Sequence, residues 1–221
     1  MVKWLAAFAA LITMSGAAEA HYIWLERNGS DVRAFFGEWE VDLREVSGGT
    51  LDRIKSLTAF ETDRTKTLTV TRESNHFAVK GGGKGDVRAV EERAPTDDKA
   101  NGGKTKTVFQ AKAGRAETRA VLDLELVPLA AGSDDFVLML HGAPLAKAEV
   151  HVFGPPKWGR ELRTDDSGNV AIPTPWAGQY VVEIIYLEEK AGGMGDGAYD
   201  RLRHVSTLSF TSAKGLPWKA Q

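Results

Sequence analysis

Short apolar, strand-like runs recur along the chain, broken by Gly, Asn, Asp and Pro, and little of it carries sustained helical spacing. The pattern predicts an all-β protein. Its clearest piece is a hairpin: Tyr22-Ile23-Trp24-Leu25 and Val32-Arg33-Ala34-Phe35-Phe36 flank Arg27-Asn28-Gly29-Ser30, and Asn-Gly is the strongest short hairpin signal. With Asn28 and Gly29 as the two turn residues, paired positions sum to 57, so His21 falls opposite Phe36 and Glu38 is its diagonal neighbour on the same face. That face reads His21, Ile23, Leu25 on one strand and Val32, Ala34, Phe36, Glu38 on the other, apolar with a polar pair at its end.

Leu43 to Leu57 is the one stretch with a helical or irregular pattern, after which Ala59-Phe60 and Thr67 to Val70 return to strand composition. Around the strand-like Asp86 to Val90 the chain is rich in glycine and charge, and Arg93 to Gly103 reads as a mobile surface loop. A strand Thr105 to Ala111 closes the first unit. A second unit follows, with strands predicted at Leu122 to Val127, Phe136 to His141, Ala148 to Phe153, Val170 to Ile172, Tyr180 to Leu187 and His204 to Phe210. The turns at Gly142 to Leu145, Asp165 to Asn169 and Trp176 to Gln179 combine residues suited to turn geometry or positive φ. The expected organisation is two consecutive small β-sandwiches, residues 21–120 and 121–214, behind a leader at 1–20 and ahead of a tail at 215–221.

Composition narrows the setting. Met1 to Ala20 has a charged start at Lys3, an apolar run from Trp4 to Met14 and the small-residue ending Ala18-Glu19-Ala20, the pattern of a secretory signal peptide cut after Ala20. Later apolar runs are too short to span a bilayer, so a periplasmic or secreted protein starting at His21, without membrane insertion, is expected. The formal charge of −2 gives no bias toward nucleic acid. With no cysteine there is neither a disulfide nor a thiolate ligand, so a metal would be held by imidazole, carboxylate, thioether, backbone or the free amino terminus.

The order of strand, Gly142-Ala-Pro-Leu145, Ala148-Glu-Val-His-Val152, Thr164-Asp-Asp-Ser-Gly-Asn169 and Gly178-Gln-Tyr180 is similar to the transthyretin-like, or carboxypeptidase-regulatory, sandwich, an immunoglobulin-like fold that implies no chemistry. The whole region from His21 resembles a family of secreted two-domain proteins encoded beside bacterial nickel and cobalt uptake systems. The resemblance rests on His21-Tyr-Ile-Trp-Leu-Glu26, Phe36-Gly-Glu-Trp-Glu40, Phe109-Gln-Ala-Lys-Ala113, Leu124-Glu-Leu-Val-Pro-Leu129, Gly142 to Val150, Thr164 to Gly168 and Tyr199 to Leu208. It implies the fold, an association with metal uptake and a role for the histidine that opens the processed chain, His21.

A terminal histidine offers one metal both its α-amino group and its imidazole, a donor set suited to Cu(II), Ni(II) or Co(II). The bland reading is a cut that happens to precede a strand histidine. The expected metal-binding residues are His21, Glu38, His204 and His141. Against this, His141 and His151 read more simply as ordinary half-exposed strand histidines, although a hairpin could bring them together, His204 reads as a surface histidine in a basic patch, and His76 as a loop residue. Alternation puts Glu38 and Glu40 of the acidic run Glu38, Glu40, Asp42, Glu45 on one face, with a solvated edge as the plain alternative. Met139 reads as core, whereas Met194 sits in a glycine-rich loop as a soft ligand or a contact for a partner. No Gly-x-Ser-x-Gly elbow or phosphate-cradling loop is present, so no enzyme is expected, with a copper oxidase built on a histidine brace as the alternative. The reading is an extracytoplasmic accessory protein that binds a divalent metal and passes it to a membrane transporter or outer-membrane receptor. An envelope interaction module without metal is its rival.

Overall fold

The computed structural model describes residues 21–83 and 85–218, so the expected leader lies outside the described residues. The chain is all-β. Its strands are β1 (Tyr22–Asn28), β2 (Asp31–Glu38), β3 (Leu43–Arg44), β4 (Thr58–Phe60), β5 (Thr69–Arg72), β6 (Phe77–Lys80), β7 (Val87–Glu92), β8 (Thr96–Asp97), β9 (Lys104–Ala113), β10 (Leu124–Pro128), β11 (Asp135–Leu140), β12 (Ala143–Pro144), β13 (Glu149–Gly154), β14 (Trp158–Arg163), β15 (Asn169–Ala171), β16 (Gly178–Glu188) and β17 (Arg201–Ser212). Helical structure among the described residues is limited to short 3₁₀ turns such as Trp39–Val41 and Thr50–Arg53, the latter inside the stretch read as helical or irregular.

The strands form three layers. A front sheet runs β1-β2-β6-β5 with β3 on β2, and a back sheet runs β10-β11-β12 with β15 on β11. Between them an eight-stranded sheet runs β14-β13-β16-β17-β9-β7-β4, with β8 on β9. This middle sheet belongs to both halves of the chain, because β17 pairs in parallel with β9 from Arg201↔Thr105 to Ser209↔Ala113. Its two faces serve two cores. Val181, Val205, Phe109 and Ala111 pack forward with Ile23, Leu25 and Phe36, while Val182, Ile184, Leu208 and Phe210 pack backward with Leu124, Phe136 and Leu138. Strand alternation alone produces this division, since successive side chains point to opposite faces.

Three details differ from the sequence reading. The hairpin register sums to 59, not 57: Asn28 pairs with Asp31, Ile23 with Phe36, and the turn residues are Gly29 and Ser30. Gly29 takes φ +63 at the first central position, as a type II′ turn requires, so Asn28 stays in the strand. Because the slip is two residues, every side chain keeps its face. The expected mobile loop at Arg93 to Gly103 contains β8, and its turn is tied by Asp98, whose carboxylate accepts from the amides of Ala100 and Asn101 and from the Thr105 hydroxyl. Glu40 does not share a strand face with Glu38, because β2 ends at Glu38 and Glu40 lies in the 3₁₀ turn.

Candidate metal centre

The corrected register brings His21 and Glu38 to directly opposing positions at the open end of the first hairpin. At that point Gly37, with φ +145, lets the chain fold back so closely that a Cβ there would sit 2.1 Å from the Leu43 carbonyl oxygen. A second turn at Asp42, φ +58, completes the reversal, and β3 pairs Arg44 with Gly37 and Leu43 with Glu38. The Glu45 amide then donates to the Phe36 carbonyl at 2.9 Å, which carries the Glu45 side chain to the far side of the His21 ring.

The result is an imidazole held between two carboxylates. His21 Nδ1 lies 3.2 Å from Glu38 Oε1, His21 Nε2 lies 2.6 Å from Glu45 Oε1, and the ring leans on Phe36 with centroids 5.3 Å apart. All three polar side chains are mostly buried but reachable from solvent. A neutral imidazole carries one N–H, so it can satisfy one carboxylate and turns a lone pair toward the other. A metal ion at the second nitrogen would satisfy both carboxylates at once. A metal fits the spacing, since two ligands each about 2.0–2.2 Å from one ion and roughly 90–110° apart lie about 3.0–3.4 Å from each other. Glu45 would act as the outer carboxylate that orients a metal-bound histidine through its other nitrogen.

More negative charge lies beside the pair. Tyr22 donates its hydroxyl to Glu40 and accepts from the Trp39 amide at 2.8 Å, and burial followed by the Glu40 carboxylate pushes the phenol pKa up. Glu183, on β16 facing forward, has its carboxyl raised to about 7 by burial and then by Glu40 and Glu38, with Arg203 opposing. The neighbourhood is acidic, which favours a cation at His21.

The other two expected ligands gather elsewhere. His141 ends the β11 segment in the left-handed conformation, φ +49, and meets Glu188 and His204 on the rear face of the middle sheet. Glu188 Oε2 lies 3.0 Å from His141 Nε2 and 3.1 Å from His204 Nε2, close enough for three ligands of one ion. The tautomer of His204 argues against that use. Gln110 accepts the amides of Asp123 and Leu124 through Oε1, at 2.8 and 3.2 Å, so its Nε2 donates to His204 Nδ1 at 3.2 Å. Nδ1 is then an acceptor and Nε2 carries the proton, which it gives to Glu188. Metal ligation through Nε2 would turn two donors toward each other, and rotating Gln110 would orphan two backbone amides. The group is better described as a hydrogen-bonded tie between the middle and back sheets, in which the Glu188 carboxylate accepts from both imidazoles.

Burial, partly offset by Glu188, holds the His204 pKa below its ordinary 6.5, while the histidine hydrogen bonds outweigh burial to hold that of Glu188 down. For His204 the unfolded chain binds the proton more readily, so stability rises with pH across the window from the folded pKa up to about 6.5. His204→Gln is expected to flatten that part of a pH–stability profile measured by denaturant unfolding. An unchanged slope would show that His204 is not the group titrating there.

Two corrections follow. His204 is fully buried rather than a surface histidine, and His141 and His204 do not join His21 and Glu38, because the middle sheet stands between them: His21 and Glu38 end the front hairpin, whereas alternation along β17 turns His204 backward to His141. His151 is half-buried opposite Glu183 and faces away from His141, so the hairpin does not unite them. Met139 is half-buried and Met194 is 90% exposed, while His76 bonds the neighbouring Asn75 side chain at 2.8 Å. Glu45 is the residue that sequence reasoning left out of the site.

The family described as a domain of unknown function, DUF4198, matches residues 18–188. The chain belongs to this family. The match contains His21, Glu38 and Glu45 together with His141 and Glu188, and ends before β17, which carries His204. No curated protein matches this DUF4198 chain. No helix among its described residues is long and apolar enough to cross a membrane.

Proposed function

We propose that this is an extracytoplasmic accessory protein of a metal uptake system, in which His21, as the first residue after signal-peptide removal, captures a divalent nickel, cobalt or copper ion for a membrane transporter or outer-membrane receptor. The observation that carries this reading is the His21 ring set between Glu38 and Glu45, 3.2 and 2.6 Å from its two nitrogens. The sequence before it supplies the second half of the argument. A cut after Ala20 turns the His21 amide into an α-amine, which with Nδ1 closes a six-membered chelate on the same side as Glu38. That gives two nitrogens and one carboxylate oxygen, a set that the borderline ions bind well and that leaves positions open for hand-over. The resemblance to proteins encoded beside nickel and cobalt uptake systems favours those ions, whereas the general affinity order favours copper.

The test is calorimetric titration of the chain beginning at His21 with nickel, cobalt, copper and zinc. The expected result is one ion per chain with micromolar or tighter affinity and release of a proton, because the ion displaces protons from the amine and imidazole. Affinity should fall as pH is lowered, for the same reason. Absence of binding for all four ions would overturn the proposal and leave an interaction module.

A further inference from the structure

A separate cleft of about 350 Å³ opens between the Trp39–Val41 turn, the β13–β14 connection and the start of β16, at the lower end of the size range for small-molecule sites. Two tryptophans line it, one near each end of the described chain. Trp39 packs on the margin of the front core, and its amide donates to the Tyr22 hydroxyl at 2.8 Å. Trp218 is brought there by the tail, because the Ala177 amide donates to the Leu216 carbonyl at 2.9 Å and the Leu216 amide donates to the Pro175 carbonyl at 2.8 Å. Trp218 is 42% exposed and Trp39 is half-buried, so a solute in the cleft reaches both.

Charge narrows the occupant. Of the charged groups bordering the cleft, Arg44 pairs with Glu26 at 3.0 Å and Lys157 with Asp42 at 3.4 Å. Glu40 remains, and it takes the Tyr22 hydroxyl, a neutral donor, so the cleft carries one negative charge that its own cations do not balance. The cations also keep off the tryptophan faces. Arg44 lies over Phe35 and Trp24, at 5.0 and 5.7 Å, and among the described residues no cationic side chain sits over Trp39 or Trp218. Indole gives the best aromatic face for a cation, and a carboxylate beside it adds the counter-charge. An anion would meet the Glu40 carboxylate, and a neutral solute would leave its charge unused. We infer that this cleft binds a small organic cation, an ammonium or guanidinium group on a compact apolar body, with its charge set against Glu40 and the two indoles. His21, Glu38 and Glu45 take no part in it.

The experiment is a calorimetric titration of the protein, with a chelator present so that no metal at His21 contributes, using choline, butylammonium and butylguanidinium. The neutral carbon isostere of choline, butanol and butylurea serve as their uncharged counterparts. Each cation that the cleft accepts should bind at least about tenfold tighter than its counterpart, and the one that binds best assigns the head group. Trp218→Leu changes an exposed side chain of the tail and leaves both cores intact, and it should weaken the cation about tenfold. Glu40→Gln keeps an oxygen for the Tyr22 hydroxyl and should remove most of the preference for cation over counterpart. Equal binding of all three cations and their counterparts, an unchanged affinity in both variants, or no binding at millimolar concentration would each overturn the site.

Discussion

Replacing Glu125 by glutamine is expected to destabilise the protein by about 3–5 kcal/mol, the cost of removing one partner from a buried ion network. Glu125 is 1% exposed and its carboxylate accepts from Arg88 Nε and Nη2 at 3.0 and 2.8 Å and from the amides of Val121 and Leu122 at 2.7 and 2.8 Å. Lys112 Nζ, equally buried, lies 3.1 Å away and also reaches Asp86 at 3.3 Å. A glutamine offers one acceptor oxygen and turns an NH₂ toward these donors, leaving Arg88 and Lys112 with only Glu117 and Asp86 as counter-charges. The comparison is Glu149→Gln, whose partner Arg163 is about half exposed, and which should cost no more than about 1 kcal/mol. Burial pushes the Glu125 carboxyl up, but Arg88 and Lys112 outweigh it and hold the pKa below 4.5. Its stabilisation is thus present above 4.5 and is lost as pH falls through the folded value, so the gap between the two proteins should close in acid. Denaturant midpoints measured across pH decide the matter. A loss near that of Glu149→Gln would mean that the network is not carried by charge.

The second large effect belongs to the proposed metal site at His21. One alanine placed ahead of His21 converts its α-amine back to an amide and removes one arm of the chelate, and since linked ligands commonly gain about 100-fold or more over separate ones, a loss of that size in metal affinity is expected. The fold should be unchanged, since Tyr22 onward is held by the hairpin. Glu45→Gln keeps the amine and Nδ1 but weakens the carboxylate that orients the ring, with an expected loss of about 10–100-fold. Titration of both variants beside the parent separates the two contributions. Equal affinity in all three would move the site away from His21.

How much of this was legible in the sequence depended on the distance between the partners. The first hairpin was readable from Asn28-Gly29 and the alternation around it, and its faces survived a register slip because the slip was even. That slip moved Glu38 from diagonal to opposite His21, strengthening the pair. Glu45 was not readable, because its place depends on the backbone at Gly37 and Asp42 folding β3 back onto β2, a geometry that no side-chain pattern announces. The rear group was hidden for another reason. His141, in the turn after β11, Glu188 on β16 and His204 on β17 are far apart in sequence, and only the β16–β17 pairing and the parallel contact with β9 place His204 beside Gln110. The same non-local pairing separated two sets of histidines that sequence alone could not assign to different faces.

The parallel seam between β9 and β17 also shapes how the chain comes into being. A ribosome delivers β9 long before β17, so while the intervening residues are made one edge of a ten-residue strand, apolar on its forward face, is without its neighbour. The front layer cannot be sealed until the final strand arrives, and closure across so long a loop is slow. Until β17 is delivered, that edge of β9 is open to pairing with another chain.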